Sequence, residues 1–105
     1  MELTREDFDK AIENSDWATY FSNVILNALD ELSNTEAGTR IPDDVWNSYF
    51  YVEEVVKAGM DHKDSMWNLI QKMNKHWNML NDPDAMKIWM DLSSLKYYAK
   101  KFGAI

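Results

Sequence analysis

The chain has no cysteine, which excludes a disulfide framework, a thiolate metal site and a cysteine nucleophile. Three glycines and two prolines are too few to punctuate a loop-rich fold, so most of the 105 residues are expected in regular structure. Only two histidines occur, His62 and His76. They fall on one predicted helix with about 21 Å of axial rise between them, too far apart to share a metal within one subunit. No apolar run approaches the roughly 18 residues of a membrane span. The opening Met1-Glu2-Leu3-Thr4-Arg5-Glu6-Asp7 has neither the basic nor the apolar segment of a secretory signal. The expectation is a cytoplasmic protein, bacterial or made in a cell by an infecting virus, without membrane contact.

The inventory of catalytic motifs is equally bare. There is no glycine-rich phosphate loop, no GxSxG elbow and no HExxH pair. Asp82 and Asp84 flank Pro83 without the glycine or the further oxygen ligands of a calcium loop. Carboxylates are plentiful, but no spacing singles out a pair held in a shielded cleft for acid–base work. The sequence therefore points to a non-enzyme with no cofactor and no metal.

Bases are scarce too: 11 Lys and Arg stand against 18 Asp and Glu, a net charge of −7. That balance argues against direct nucleic-acid binding, which depends on lysine and arginine. The asymmetry along the chain says more. Residues 1–54 carry 13 acids and 3 bases, whereas residues 55–105 carry 5 acids and 8 bases. The two halves can attract each other within one fold or between copies.

What the sequence does contain is helix signal. At this length it forms one domain, expected to be an all-α compact bundle of about five helices, near 5–13, 16–32, 43–58, 62–80 and 83–102. Thr4 reads as the first N-cap with Asp7 three residues on, and Asn14-Ser15-Asp16 as the second cap. Trp17, Tyr20, Phe21, Val24, Ile25, Ala28, Leu29 and Leu32 then form the strongest apolar stripe in the chain. Residues 33–41 are the one polar loop, and the segment expected to move most. Pro42 opens the third helix, with Asp43 and Asp44 near its positive end. Gly59 closes it in a left-handed cap that folds Met60 back on Val55. Met66, Ile70, Met73, Trp77 and Leu80, then Ile88, Leu92, Leu95, Ala99 and Phe102, repeat a 4-3 spacing on either side of Asn81-Asp82-Pro83. Two such seams predict that the bundle ends in an antiparallel helical hairpin.

Aromatic residues and methionine are in surplus: five Trp, five Tyr, four Phe and seven Met. Tyr49-Phe50-Tyr51-Val52 and Ile88-Trp89-Met90 cover most of a helix circumference, whereas a surface helix buries one face. Either those helices are central or part of the surplus is exposed as an interface. Tyr51, Trp89, Met90 and Tyr97 are the residues expected outside the core. A second candidate is an acidic stripe, since Glu2, Glu6, Asp9, Glu13 and Asp16 recur at spacings of 4 and 3 on one side of the first helix. Such a stripe would dock on a basic surface and speed association.

The function expected from these features is a small acidic binding protein that occludes a protein partner with a basic surface. By analogy of size and charge alone, immunity proteins, antitoxins and viral inhibitors of host defence work in this way. The alternative is a homo-oligomer whose surplus aromatics form its own interface. Between its subunits Lys72, Lys75, Lys87 and Lys96 could hold an anionic or nucleotide ligand. Mimicry of duplex nucleic acid by ordered carboxylates is a third reading.

Overall fold

Local capping rules start and stop most of the helices. In the computed structural model, which describes residues 3–76 and 83–105, the side chain of Thr4 accepts a hydrogen bond from the Asp7 backbone N–H and opens α1 (Arg5–Ala11). Asn14 does the same for Trp17 and opens α2 (Ser15–Phe21). A π-helical turn (Ser22–Leu26) joins α2 without a break to α3 (Asn27–Leu32). The buried residues explain that turn. Trp17, Phe21, Ile25 and Leu29 are all fully buried and four apart. On a regular α-helix a step of four drifts by about 40°, and the wider π turn winds the line back toward the core.

A 3-10 segment (Glu36–Arg40) leads to α4 (Asp43–Lys57), followed by α5 (Lys63–Lys75), α6 (Pro83–Ser93) and α7 (Leu95–Lys101). Gly59 has φ +68°, and Met60 N–H bonds back to the Val55 carbonyl; Gly103, at φ +74°, ends α7 in the same way through Ala104 and Ala99. The described residues contain no strand, so the all-α bundle is established.

Several boundaries differ from expectation. The first helix stops at Ala11 because Asn14 turns to cap the next. Helix α5 is described from Lys63 to Lys75, with His76 as its C-cap, and its expected continuation to residue 80 lies outside the described residues. The last expected helix divides at Ser94. Both Ser93 and Ser94 turn their hydroxyls back on the Met90 carbonyl, a competition that bends helices. The turn of the expected terminal hairpin, with Trp77, Leu80 and the Asp82 cap, lies outside the described residues. The hairpin that the described residues do show comes earlier. α4 and α5 pair antiparallel, so that Asp44 at the start of one meets His76 at the end of the other at 2.7 Å.

The polar loop is built into the fold. Ala37, Gly38 and Ile41 are buried within it. A Cβ on Gly38 would stand 2.2 Å from the Leu32 carbonyl oxygen, so only glycine lets the segment lie this close to the end of α3. The Trp46 indole N–H holds it there by donating to the Gly38 carbonyl at 2.9 Å.

Among the described residues, Trp46 is one of three tryptophans used in this way. The Trp17 indole N–H donates to the Leu95 carbonyl at 3.0 Å and ties α2 to α7. The Trp89 indole donates at 2.5 Å to the carbonyl of Met73 in the last turn of α5. Each spans two elements with a large apolar body and satisfies its one polar atom on the far side. Much of the aromatic surplus is thus structural. Trp89, expected outside the core, has no exposed surface: its ring lies in the main cluster and its N–H is satisfied by the Met73 carbonyl, which also accepts from the His76 backbone N–H.

Candidate functional site

Helix α4 shows a second face. Val45, Ser48, Tyr49, Val52 and Val55 point inward. At 100° per residue, Asp43, Asn47, Phe50, Tyr51, Glu54 and Lys57 fall on the opposite arc, and all are exposed. Phe50 is 49% and Tyr51 58% exposed, large values for aromatic rings on a helix already packed along its other side. Phe50 is held in place by its neighbours, stacked on Trp46 at 6.0 Å and tilted against Tyr49 at 5.5 Å. The result is a rigid aromatic ridge with carboxylates along it.

Two shallow clefts follow one another beside the ridge. One, of about 350 Å³, lies among Gly38, Thr39, Asp43, Trp46 and Phe50. The other, of about 290 Å³, has Leu26, Val52 and Val56 as apolar lining and Asp30 and Glu53 as acids, with Lys57 at its edge. Burial pushes the Tyr49 hydroxyl up to about 12, and the nearby carboxylates of Glu53 and Asp30 add to the shift. The seam between α3 and α4 therefore combines apolar surface with negative potential. That pairing suits a partner carrying a hydrophobic anchor among lysines or arginines.

The acidic stripe of the first helix is less coherent. Glu2 lies outside the described residues. Only Glu6 and Asp9 stand on α1; Glu13 sits in the turn after it and Asp16 in the first turn of α2, because Asn14 restarts the chain between them. Asp9 is already engaged, at 2.9 Å from Arg5, which also binds Asp64 and lies over the Trp67 ring. Arg5 thus clamps α1 to α5. Glu6, Glu13 and Asp16 remain exposed.

The four lysines considered as an anion site do not converge. Lys75 lies 3.7 Å from Asp44, with Lys72 contributing to the same carboxylate's field. Lys96 lies 3.7 Å from Asp7. Lys87 lines a separate groove of about 440 Å³ that also contains Glu31 and Asp91. Lys75 and Lys96 thus pair with carboxylates on different elements, and the four are not gathered around one anion.

One cluster was invisible in the sequence because its members are far apart in the chain. Asp44 receives a hydrogen bond from His76 at 2.7 Å. That bond, followed by the charges of His76, Lys75 and Lys72, holds the Asp44 carboxyl below its usual range. An imidazole–carboxylate pair is half of a nucleophile-activating triad. The other ring nitrogen, Nδ1, is buried and has no hydrogen-bond partner among the described residues, so no hydroxyl stands where a nucleophile would. The pair fastens the open ends of the α4–α5 hairpin. No group of three metal-ligating side chains occurs among the described residues, and no helix there is long and apolar enough to cross a membrane.

Of the residues expected at an interface, Tyr51, Met90 and Tyr97 are exposed, at 58, 60 and 60%, and Trp89 is core. Phe50, Glu53 and Glu54 were passed over. Counting 100° steps from the inward set at 45, 48, 52 and 55 places Phe50 and Glu54 outside, so that signal was present in the sequence. Comparison of the chain with protein-family models, curated proteins and solved structures finds no match.

Proposed function

We propose that this protein is a non-catalytic docking protein that occludes a protein partner with a basic surface, using the α3–α4 seam and the outer face of α4. Acidic charge steers the partner in, and Phe50 and Tyr51 anchor it. The observation that carries the reading is the juxtaposition on α4 of two half-exposed aromatic rings with Asp43, Glu53 and Glu54, beside clefts with apolar linings. Phe50 protrudes while braced by Trp46 and Tyr49, so it loses little freedom on binding, which favours it as an anchor. An inhibitory or immunity-type role follows from occlusion, since a small domain docked through such a face covers what it binds.

The test uses a defined probe, an amphipathic helical peptide with one leucine face and one arginine face, titrated into the protein by calorimetry. The expected result is binding that weakens with salt and that falls about tenfold or more in a Phe50→Ala/Tyr51→Ala double variant, an anchor-sized loss. The double variant leaves the charge unchanged. An unaltered affinity in a variant that folds normally would refute the anchoring role and reduce the binding to bulk charge.

A further inference from the structure

The stripe of α6 and α7 that faces away from the core has the opposite chemistry. Met90, Ser93, Tyr97, Lys100 and Lys101 follow one another at helical spacing and are all exposed. Met90 and Tyr97 are each 60% exposed, matching Phe50 and Tyr51 on α4. Tyr97 is braced edge-on by Tyr98 at 5.1 Å, and Lys101 lies over the Tyr98 ring at 5.5 Å. Lys96, the other base of α7, is turned inward to Asp7, so the outward charge of this stripe is that of Lys100 and Lys101. Its nearest acid in sequence, Asp91, is half-buried. The molecule thus carries one acidic aromatic face and one basic aromatic face. They stand on helices with different main packing partners, α4 on α5, and α7 on α2 and α6.

We propose that a second copy of this chain is a partner of the α4 face, docking through its α6–α7 stripe. The inference rests on the reading of α4 as a docking surface. In the contact, Lys100 and Lys101 of one copy meet Asp43 and Glu54 of the next, while Tyr97 and Met90 pack beside Phe50 and Tyr51. Charge complementarity selects this occupant, because Asp43 and Glu54 on the outward face of α4 are opposite in sign to Lys100 and Lys101 on the outward stripe of α7. Each copy owns one face of each kind, so the contact is either made twice across a two-fold axis or repeated along a chain of copies.

The experiment is the absolute molar mass in solution by light scattering, across protein concentration and at low and high salt. The chain alone is 12.4 kDa. The expected result is a mass that rises with concentration at low salt and returns toward 12.4 kDa at high salt. Asp43→Lys/Glu54→Lys and Lys100→Glu/Lys101→Glu should each remain monomeric alone. Mixed in equal amounts they should associate again, since each restores the other's missing charge. A wild-type mass of 12.4 kDa at every concentration and salt, or association that survives in both variants, would overturn the proposal. Should the wild type stay monomeric and still bind the arginine-faced peptide through Phe50 and Tyr51, the second copy is excluded and the docking surface stands. Loss of both would remove the surface as well.

Discussion

Trp89 and Met90 are neighbours on one helix and have opposite fates. The first has no exposed surface and donates its indole N–H to the last turn of α5, while the second is three-fifths exposed. The same division separates Trp17 and Trp46, which bind carbonyls across the fold, from Phe50, Tyr51 and Tyr97, which stand outward. The lesson concerns chemistry more than size. An indole N–H has to be satisfied when buried, and the fold offers backbone carbonyls at helix ends and in tight turns for that purpose. Phenylalanine has no such demand, so Phe8 and Phe21 are buried while Phe50 stands outward, and a tyrosine can be exposed, as Tyr51 and Tyr97 are, or buried, as Tyr49 is.

The sharpest way to break this comparison is to truncate both neighbours. Trp89→Ala should lose about 3–5 kcal/mol of stability, the range for emptying a large core site. Met90→Ala should stay within about 0.5 kcal/mol, as exposed positions do. Equilibrium urea unfolding of the two variants measures the contrast, and similar losses would show that Met90 is structural.

Next in size is the loop held by Trp46. Gly38→Ala forces a Cβ against the Leu32 carbonyl, and a loss of about 1–3 kcal/mol is expected. Trp46→Phe, which removes the indole N–H donated to Gly38 together with part of the ring packed on Tyr49 and Phe50, should cost at least about 1 kcal/mol. If amide exchange across residues 36–41 is as fast in the wild type as in Trp46→Phe, the indole does not secure the segment.

The smallest effect is a pH dependence. Burial pushes Tyr20 and Tyr49 up to about 12, with Tyr98 and Asp91 adding to the first shift and Glu53 and Asp30 to the second. The unfolded chain ionises these phenols near 10. Above that pH it releases protons that the folded chain still holds, so stability falls as pH rises from about 10 toward 12. Replacing either tyrosine with phenylalanine should remove one late-titrating phenol from the absorbance change at high pH and flatten the alkaline loss. A titration without a late component would contradict the burial of both rings.

How much of this was legible in the sequence depends on range. Thr4, Asn14, Pro42 and Gly59 act within a few residues, and their caps and turns could be read directly. The long apolar stripe from Trp17 to Leu32 was visible for the same reason, although the π turn that keeps it aligned was not. The acidic spacing of Glu6, Asp9, Glu13 and Asp16 is the same whether or not the helix continues, and the competing cap at Asn14 decides that it does not. The burial of Trp89, the packing of the polar loop and the Asp44–His76 pair depend on partners 16, 8 and 32 residues away. No local periodicity encodes such partners. The face of α4 lies between these cases: its position follows from counting residues, and its clefts only from the arrival of α3.

The measurement that tests the central claim most directly is a nuclear magnetic resonance footprint of the arginine-faced peptide on isotope-labelled protein. The account predicts shifts concentrated at Asp43, Phe50, Tyr51, Glu53 and Glu54, with none at the Trp17 or Trp89 indoles. Shifts concentrated instead at Glu6, Glu13 and Asp16 would contradict it and return the docking role to the acids of the first two helices.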